Sequence, residues 1–345
     1  MSTPSRPSLV RHWLALAEEL VGRAAPRLDA LNLFPVPDAD TGTNMLATLT
    51  AARTAADACP AQDDAGAVLA HAGAAALDSA RGNSGMLLAV SLAGMAEPLR
   101  GRERVDAFAL AAAFGAADRA ARQALSDPRE GTILTVLSAA ARSLARSSTQ
   151  APDTPAVAGD ADPAVRLGPA VALMLADCVQ AVEETESLLA PLTRAHVVDA
   201  GAVGLLWVFE ALRAVVTGTP VDEELATALP GYVEGAHAAE GEPAAEAEAP
   251  IEGAVEVMGT LTLTPLAAAE LRRRLADVGD AVILAPVGTA RDAQGRVPWR
   301  VHVHVPRAED AIGPLRAAGD VEGLAVTDLA EPSQADAAPD GCHGR

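Results

Sequence analysis

LNLFPVPDADTGTNM (residues 31–45) cannot be one helix. Pro35 and Pro37 lack an amide donor, and each biases the residue before it away from the helical region. The stretch therefore reads as a fixed loop between helices. Upstream, Leu9, Trp13, Leu16, Ala17 and Leu20 fall at helical spacing over 8–24, and Pro26 then marks a helix start or break. Downstream the helical pattern resumes at about Thr43. It returns at 64–80, 84–98, 105–125, 131–146, 165–185 and 200–217, with breaks at Gly or Pro. Alanine, the strongest helix former, makes up roughly a fifth of the 345 residues, against 4 Phe, 3 Trp and 1 Tyr. The expectation is a mainly α protein whose helices pack closely.

Beyond residue 250 the texture changes. AVEVMGTLTLT (254–264) alternates as a strand, 265–278 reads as a helix, 281–287 and 299–305 as strands, 308–318 as a helix and 323–328 as a last strand. That order, β-α-β-β-α-β, is the split βαβ arrangement of a small α+β domain. The chain thus divides into a helical domain (8–218), an acidic Pro/Gly/Ala-rich linker (219–251), an α+β domain (252–330) and a tail (331–345). A second polar, Pro- and Ala-rich stretch at 147–164 reads as an exposed loop.

The net charge is −20, and all 26 basic residues are arginine. No basic stripe is available to neutralise phosphates, which argues against a nucleic-acid binder and against docking on an anionic membrane surface. Cys59, Cys178 and Cys342 are unpatterned, so neither a disulfide framework nor a cysteine zinc site is expected. The apolar stretch 64–98 is interrupted by His71, Asp78 and Arg81, and the N-terminus lacks a signal-peptide pattern. These features read as a soluble cytoplasmic chain.

Four segments carry chemistry. Asp38 and Asp40, with Asp29 upstream, place carboxylates in a proline-pinned loop beside the helix start Thr41-Gly42-Thr43-Asn44, which suits a hard cation such as Mg²⁺ and equally suits capping. Arg81-Gly82-Asn83-Ser84-Gly85-Met86 lets backbone N–H groups approach an anion, or forms a tight turn. No Walker A loop exists, since there is no lysine. Glu130-Gly131-Thr132 and Asp199-Ala200-Gly201 open two further helices; each alone is more often a cap than a site. In the last part, His302 and His304 alternate on one strand and face one side.

LNLFPVPDADTGTNM, ARGNSGM, EGTILTV and VVDAGAVGL occur in the order and approximate spacing of one family. They resemble the nucleotide-binding (DhaL) domain of dihydroxyacetone kinases. The FPVPD form looks most like the bacterial branch that contains the ATP-binding subunit of fatty acid kinase. LRRRLADVGDAVIL and VHVHV are similar to that branch's middle domain, and its longer members continue with another C-terminal domain.

The resemblance implies a barrel of antiparallel helices around a pit that binds ATP with two Mg²⁺. Asp38 and Asp40 match the metal-binding, catalytic aspartates, and Asp29 is the candidate third carboxylate, with Asn32 or Asn44 as substitutes. Thr41, Gly42, Thr43 and Asn44 continue that loop, and Gly82, Asn83, Ser84, Gly85 and Met86 match the phosphate loop. Thr132 matches a hydroxyl beside the phosphates, and Asp199 with Gly201 the loop near ribose or adenine. Ala39 and His196 stand where the branch has Gly, and Ala202 replaces the second Gly of a DAGG run. Glu256 lies where the middle domain often has Cys, so Glu256, His302 and His304 are a candidate Zn²⁺ site; the plainer reading is a sheet face with two ordinary imidazoles.

The function so implied is an ATP-dependent phosphotransferase subunit that phosphorylates a fatty acid carboxylate presented by a partner lipid-binding protein. A dihydroxyacetone (glycerone) kinase nucleotide subunit is the alternative within the family, and a non-catalytic ATP-binding scaffold the alternative outside it. A homodimer is compatible with each.

Overall fold

The computed structural model describes residues 6–60, 64–102, 105–149, 163–232, 254–288 and 290–329. Among the described residues nine helices come first: α1 (Arg6–Leu31), α2 (Thr41–Ala58), α3 (Ala65–Ser79), α4 (Gly82–Leu99), α5 (Ala107–Ala124), α6 (Ile133–Thr149), α7 (Pro163–Leu188), the short α8 (Ala190–Ala195) and α9 (Ala200–Thr217). Sequential helices pack side by side from α1 to α7, and α9 closes back on α1, α6 and α7. Alanine permits this. Ala17, Ala52, Ala72, Ala113, Ala117, Ala140 and Ala211 are wholly buried, so backbones approach closely while Leu14, Leu28, Leu49, Leu88 and Phe114 fill the space between.

α1 does not stop at Pro26. It runs through to Leu31, because Ala24 and Ala25 before the exposed proline and Leu28 and Leu31 beyond it are all buried against the barrel. Their burial offsets the single lost helix bond. The short helix α8 has no counterpart in the apolar periodicity.

After the helical unit come β1 (Val255–Leu263), α10 (Pro265–Ala276), β2 (Asp280–Pro286), β3 (Val297–Val305), α11 (Ala308–Ala318) and β4 (Val321–Asp328), the expected β-α-β-β-α-β order. The sheet is antiparallel with strand order β2-β3-β1-β4. One face, with Val257, Leu261, Val282, Leu284, Val301, Val303 and Val305, packs on Leu271 and Leu275 of α10 and Leu315 of α11.

The other face turns toward the helical unit. Met258, Ile283 and Ala285 join the helical core rather than the sheet's own. Leu125 bridges to Ile283, Ser126 N–H donates to the Val282 carbonyl at 3.0 Å, and the Arg272 guanidinium donates to the Gln123 carbonyl. The α+β unit is thus seated on α4 and α5 along a shared core.

Residues 221–232, the first part of the stretch read as linker, pack on the helical unit instead. Ala226, Leu229 and Tyr232 are buried there, and the Trp207 indole N–H donates to the Tyr232 hydroxyl at 3.2 Å. The composition of that stretch is polar, but its few apolar residues fall where they can cover α9. The remainder of that stretch, the 331–345 tail and most of the 147–164 loop lie outside the described residues. Among the described residues one helix, Ala200–Thr217, is long and apolar enough to cross a membrane, and 78% of it is buried inside the protein.

Candidate functional site

Four helix starts meet at one end of the helical unit. α2 begins at Thr41 after the proline loop, whose Phe34–Pro35 peptide is cis. α4 begins at Gly82, with φ +58 and no room beside Asn44 Nδ2 for a Cβ. α9 begins at Ala200, and a Cβ at Gly201 would stand 2.9 Å from Ser84 Oγ. Asp199 caps α9 by accepting the Ala202 N–H at 2.8 Å, and the Ile133 N–H of α6 also faces its carboxylate. Gly82→Ala is therefore expected to destabilise the protein by about 1–2 kcal/mol, the cost of a left-handed alanine. Urea unfolding checks this; an unchanged midpoint would contradict the strained start of α4.

Asp38 and Asp40 lie side by side at this end. Burial, then the neighbouring Asp40 charge, pushes Asp38 up to about 7, while Asn32 holds it with a hydrogen bond from Nδ2 to Oδ1. Burial also raises Asp40, with the charges of Glu256 and Asp29 adding to it. Two half-buried carboxylates this close cannot both ionise cheaply, so the pair either shares a proton or takes up a cation. Asp40 occupies the N-cap position of α2 but makes no side-chain cap bond. The capping duty falls to Asp29, which accepts the N–H of Gly42 at 2.6 Å, the N–H of Thr43 at 3.0 Å and the Thr43 hydroxyl at 2.8 Å. Gly42 makes this reach possible, since a Cβ there would overlap the Ala25 backbone of α1.

Two positions near these starts hold left-handed backbone without glycine: Ala39 at φ 54 and His196 at φ 54. Both stand where the resembling branch has Gly. Ala39→Gly is expected to stabilise the protein by up to about 1 kcal/mol, because relief of the left-handed cost exceeds the added chain entropy. Thermal unfolding checks this; a lower melting temperature would count against it.

Asp38, Asp40, Thr41, Asn44, Gly82, Asn83 and Ser84 line one pit. Its opposite wall comes from the sheet: Glu256, His304 and, at the end of β4, Thr327 and Asp328. Glu256 Oε1 accepts the Gly82 N–H at 2.9 Å and lies 3.0 Å from His302 Nδ1. Burial alone would raise Glu256, yet the adjacent His302, the Gly82 amide and His304 bring it down to about 2. Burial, reinforced by His302, pushes His304 down to about 3, so it is neutral. One ligand atom from each of Glu256, His302 and His304 lies within 4.8 Å of the others, and Nε2 of both histidines is buried with no protein partner. This donor set fits a zinc ion.

Several residues expected at the site lie elsewhere. Met86 is 0% exposed in the helical core, since the fifth residue along α4 turns inward rather than to the pit. Gly85 is buried against Thr48 and Asn44. Gly42 and Thr43 spend their amides on Asp29. Thr132 caps α6, accepting the Leu134 N–H at 3.3 Å and donating to the Arg129 carbonyl at 2.9 Å. Sequence reasoning missed Thr327 and Asp328 as pit residues; no local signal marks them, because they reach the pit only through strand pairing with β1.

Comparison with known proteins places these features in a family. The family model for the DAK2 domain matches residues 35–214, just over half of the chain. Protein YloV of Bacillus subtilis is 33% identical over 211 residues, covering 61% of this chain and 35% of its own. An uncharacterized protein of Staphylococcus haemolyticus is 32% identical over 198 residues, 57% of this chain and 33% of its own. The chain therefore spans about a third of the length of these relatives. Among solved structures, the dihydroxyacetone kinase from C. freundii in complex with AMP-PNP and Mg²⁺ is similar with a TM-score of 0.44 and 18% identity, over 62% of this chain and 35% of that one. On the match across the proline loop and the helix starts, the chain belongs to the DAK2-domain family.

Proposed function

We propose that this chain is the nucleotide-binding, phosphotransferase subunit of a kinase, and that its acceptor is a fatty acid carboxylate delivered by a partner lipid-binding protein. The observation that carries the first part is the half-buried Asp38–Asp40 pair in one pit with the Gly82–Ser84 backbone. The FPVPD form of the loop and the VHVHV run of β3 support the second. Asp38 and Asp40 would hold Mg²⁺, which when bound offsets the charge of the transferring phosphoryl group. The chain's own groups do the rest. Amides at the start of α4 receive phosphate oxygens, aided by the positive end of the helix. Asn32 orients Asp38. A carboxylate acceptor is already ionised at neutral pH, so the reaction needs no general base from this chain. Glu256, His302 and His304 would hold a zinc ion at the edge of the same pit.

Calorimetry with MgATP tests the nucleotide reading. Binding is expected with Mg²⁺ and not with chelator, because without the cation the phosphates face two carboxylates. Equal affinity in both conditions would sink it. The acceptor is tested by turnover: purified chain with MgATP and either free fatty acid or dihydroxyacetone should turn over far below the usual kinase range of about 1–100 s⁻¹. Addition of a fatty-acid-loaded lipid-binding protein should restore that range. Fast turnover without a partner would place the acceptor site within this chain.

A further inference from the structure

The sheet closes the pit. With Glu256, His304, Thr327 and Asp328 in place, the space inside is about 40 Å³. That is room for an ion or a water, against the roughly 300–1,000 Å³ of ordinary small-molecule sites. The closing face also supplies an anion to the loop. Gly82 is the first residue of α4, its N–H is one of the donors a helix start leaves unpaired, and Arg81 at the N-cap makes no side-chain cap bond. The missing acceptor comes from 174 residues away, where Glu256 Oε1 sits 2.9 Å from the Gly82 nitrogen. Glu256 is held there by its strand. It pairs in register with His304 of β3 on one side and Thr327 of β4 on the other, and all three line the pit.

We propose that Glu256 is an internal occupant of the phosphate loop: the docked sheet is the closed, nucleotide-free form, and an incoming phosphate must displace the Glu256 carboxylate from Gly82. The proposal rests on the nucleotide reading of the pit. It follows from one donor having one place. A phosphate oxygen and a carboxylate oxygen cannot both take the same N–H, and two anions crowded at one helix start repel each other. Entry of nucleotide therefore requires the sheet to shift away from α4, which loosens the contacts of Met258, Ile283 and Ala285 with the helical core. Domain docking and nucleotide binding then oppose each other by the same free energy, whichever is varied.

The test uses the full chain, stripped of metal and supplied with Mg²⁺ alone, in wild-type form and as Glu256→Gln and Glu256→Ala. Gln keeps the shape and removes the charge; Ala removes both. Thermal melts first confirm that each is folded. MgADP affinity is measured by calorimetry, and backbone hydrogen exchange is followed over 80–86 and 255–263. Both variants are expected to bind MgADP at least about tenfold more tightly than wild type. In wild type, saturating MgADP should speed exchange across 255–263. Variant affinity equal to or weaker than wild type would overturn the internal-occupant role, as would MgADP slowing exchange in β1. If no form binds MgADP, the nucleotide reading itself falls; if all bind it equally, that reading stands and only the role of Glu256 falls.

Discussion

Asp38→Asn and Asp40→Asn are each expected to lower phosphoryl transfer by about a thousandfold or more while leaving the helical unit folded. The magnitude follows from the several kcal/mol that a bound cation contributes to stabilising phosphoryl charge, at about 1.36 kcal/mol per factor of ten. The folded outcome follows from what these residues do not do. Asp40 sits at the N-cap of α2 without capping it, and the amides it might have served are taken by Asp29. Asp38 is raised to about 7 by burial and by Asp40, so a neutral amide in its place removes a repulsion. Metal-free Asp38→Asn should accordingly melt no lower than wild type and respond less to added Mg²⁺. Transfer assays with the acceptor system, together with circular dichroism melts, check both halves. A variant unfolded at room temperature would return the pair to a structural role. Asp29→Ala behaves differently: it strips three donors at the start of α2 of their acceptor, so it should lower stability by about 1–2 kcal/mol, the scale of a lost cap.

What the sequence makes legible here depends on how far apart the interacting residues are. Helices with a strong apolar stripe and breaks at glycine or proline are readable within a residue or two, and Ala200–Thr217 and Ala308–Ala318 fall where the periodicity places them. The proline loop is readable because Pro35 and Pro37 act locally. Pro26 misleads because the local cost of a proline is outweighed by burial of residues on a distant surface, which no window around it reveals. Site residues follow the same division. Asp38, Asp40, Gly82, Asn83 and Ser84 stand out by local pattern and do meet in one pit. Asp29 stands out as an acid of the right type, yet its oxygens cap α2 from the preceding helix. Met86 adjoins the phosphate-loop motif in sequence, yet helical geometry turns it into the core. Glu256 stands out in the sequence only as a departure from the cysteine that the family resemblance implies there. Its contact with Gly82 depends on how the sheet seats on α4, and nothing in either short segment encodes that.

Asp199 should make the protein's stability fall as pH rises, with an expected amplitude of a few kcal/mol. The residue is 6% exposed, and burial lifts its pKa from 3.8 to about 7, against the pull of the Ala202, Ile133 and Gly201 amides toward ionisation. The sign follows from linkage. Below about pH 4 Asp199 is neutral in both states and costs nothing. Between about 4 and 7 the unfolded chain releases the proton and the folded one keeps it, so each pH step favours the unfolded state. Above about 7 both are ionised and the penalty is complete, at most about 4 kcal/mol for a shift of three units. Glu256 acts oppositely: its carboxylate is held at about 2, so the stability it contributes is present above 4.5 and lost toward pH 2. The two effects occupy different windows and separate cleanly. Asp199→Asn retains an acceptor for the α9 amides but cannot ionise, so the difference in unfolding free energy between it and wild type should swing toward the variant from pH 4.5 to 7.5 and then level off. Urea unfolding across that range, with unchanged denaturant slopes, measures it. A difference independent of pH would mean that Asp199 is ionised throughout at ordinary acidity, and that the three amides at the junction of α6 and α9 hold a charge rather than a proton.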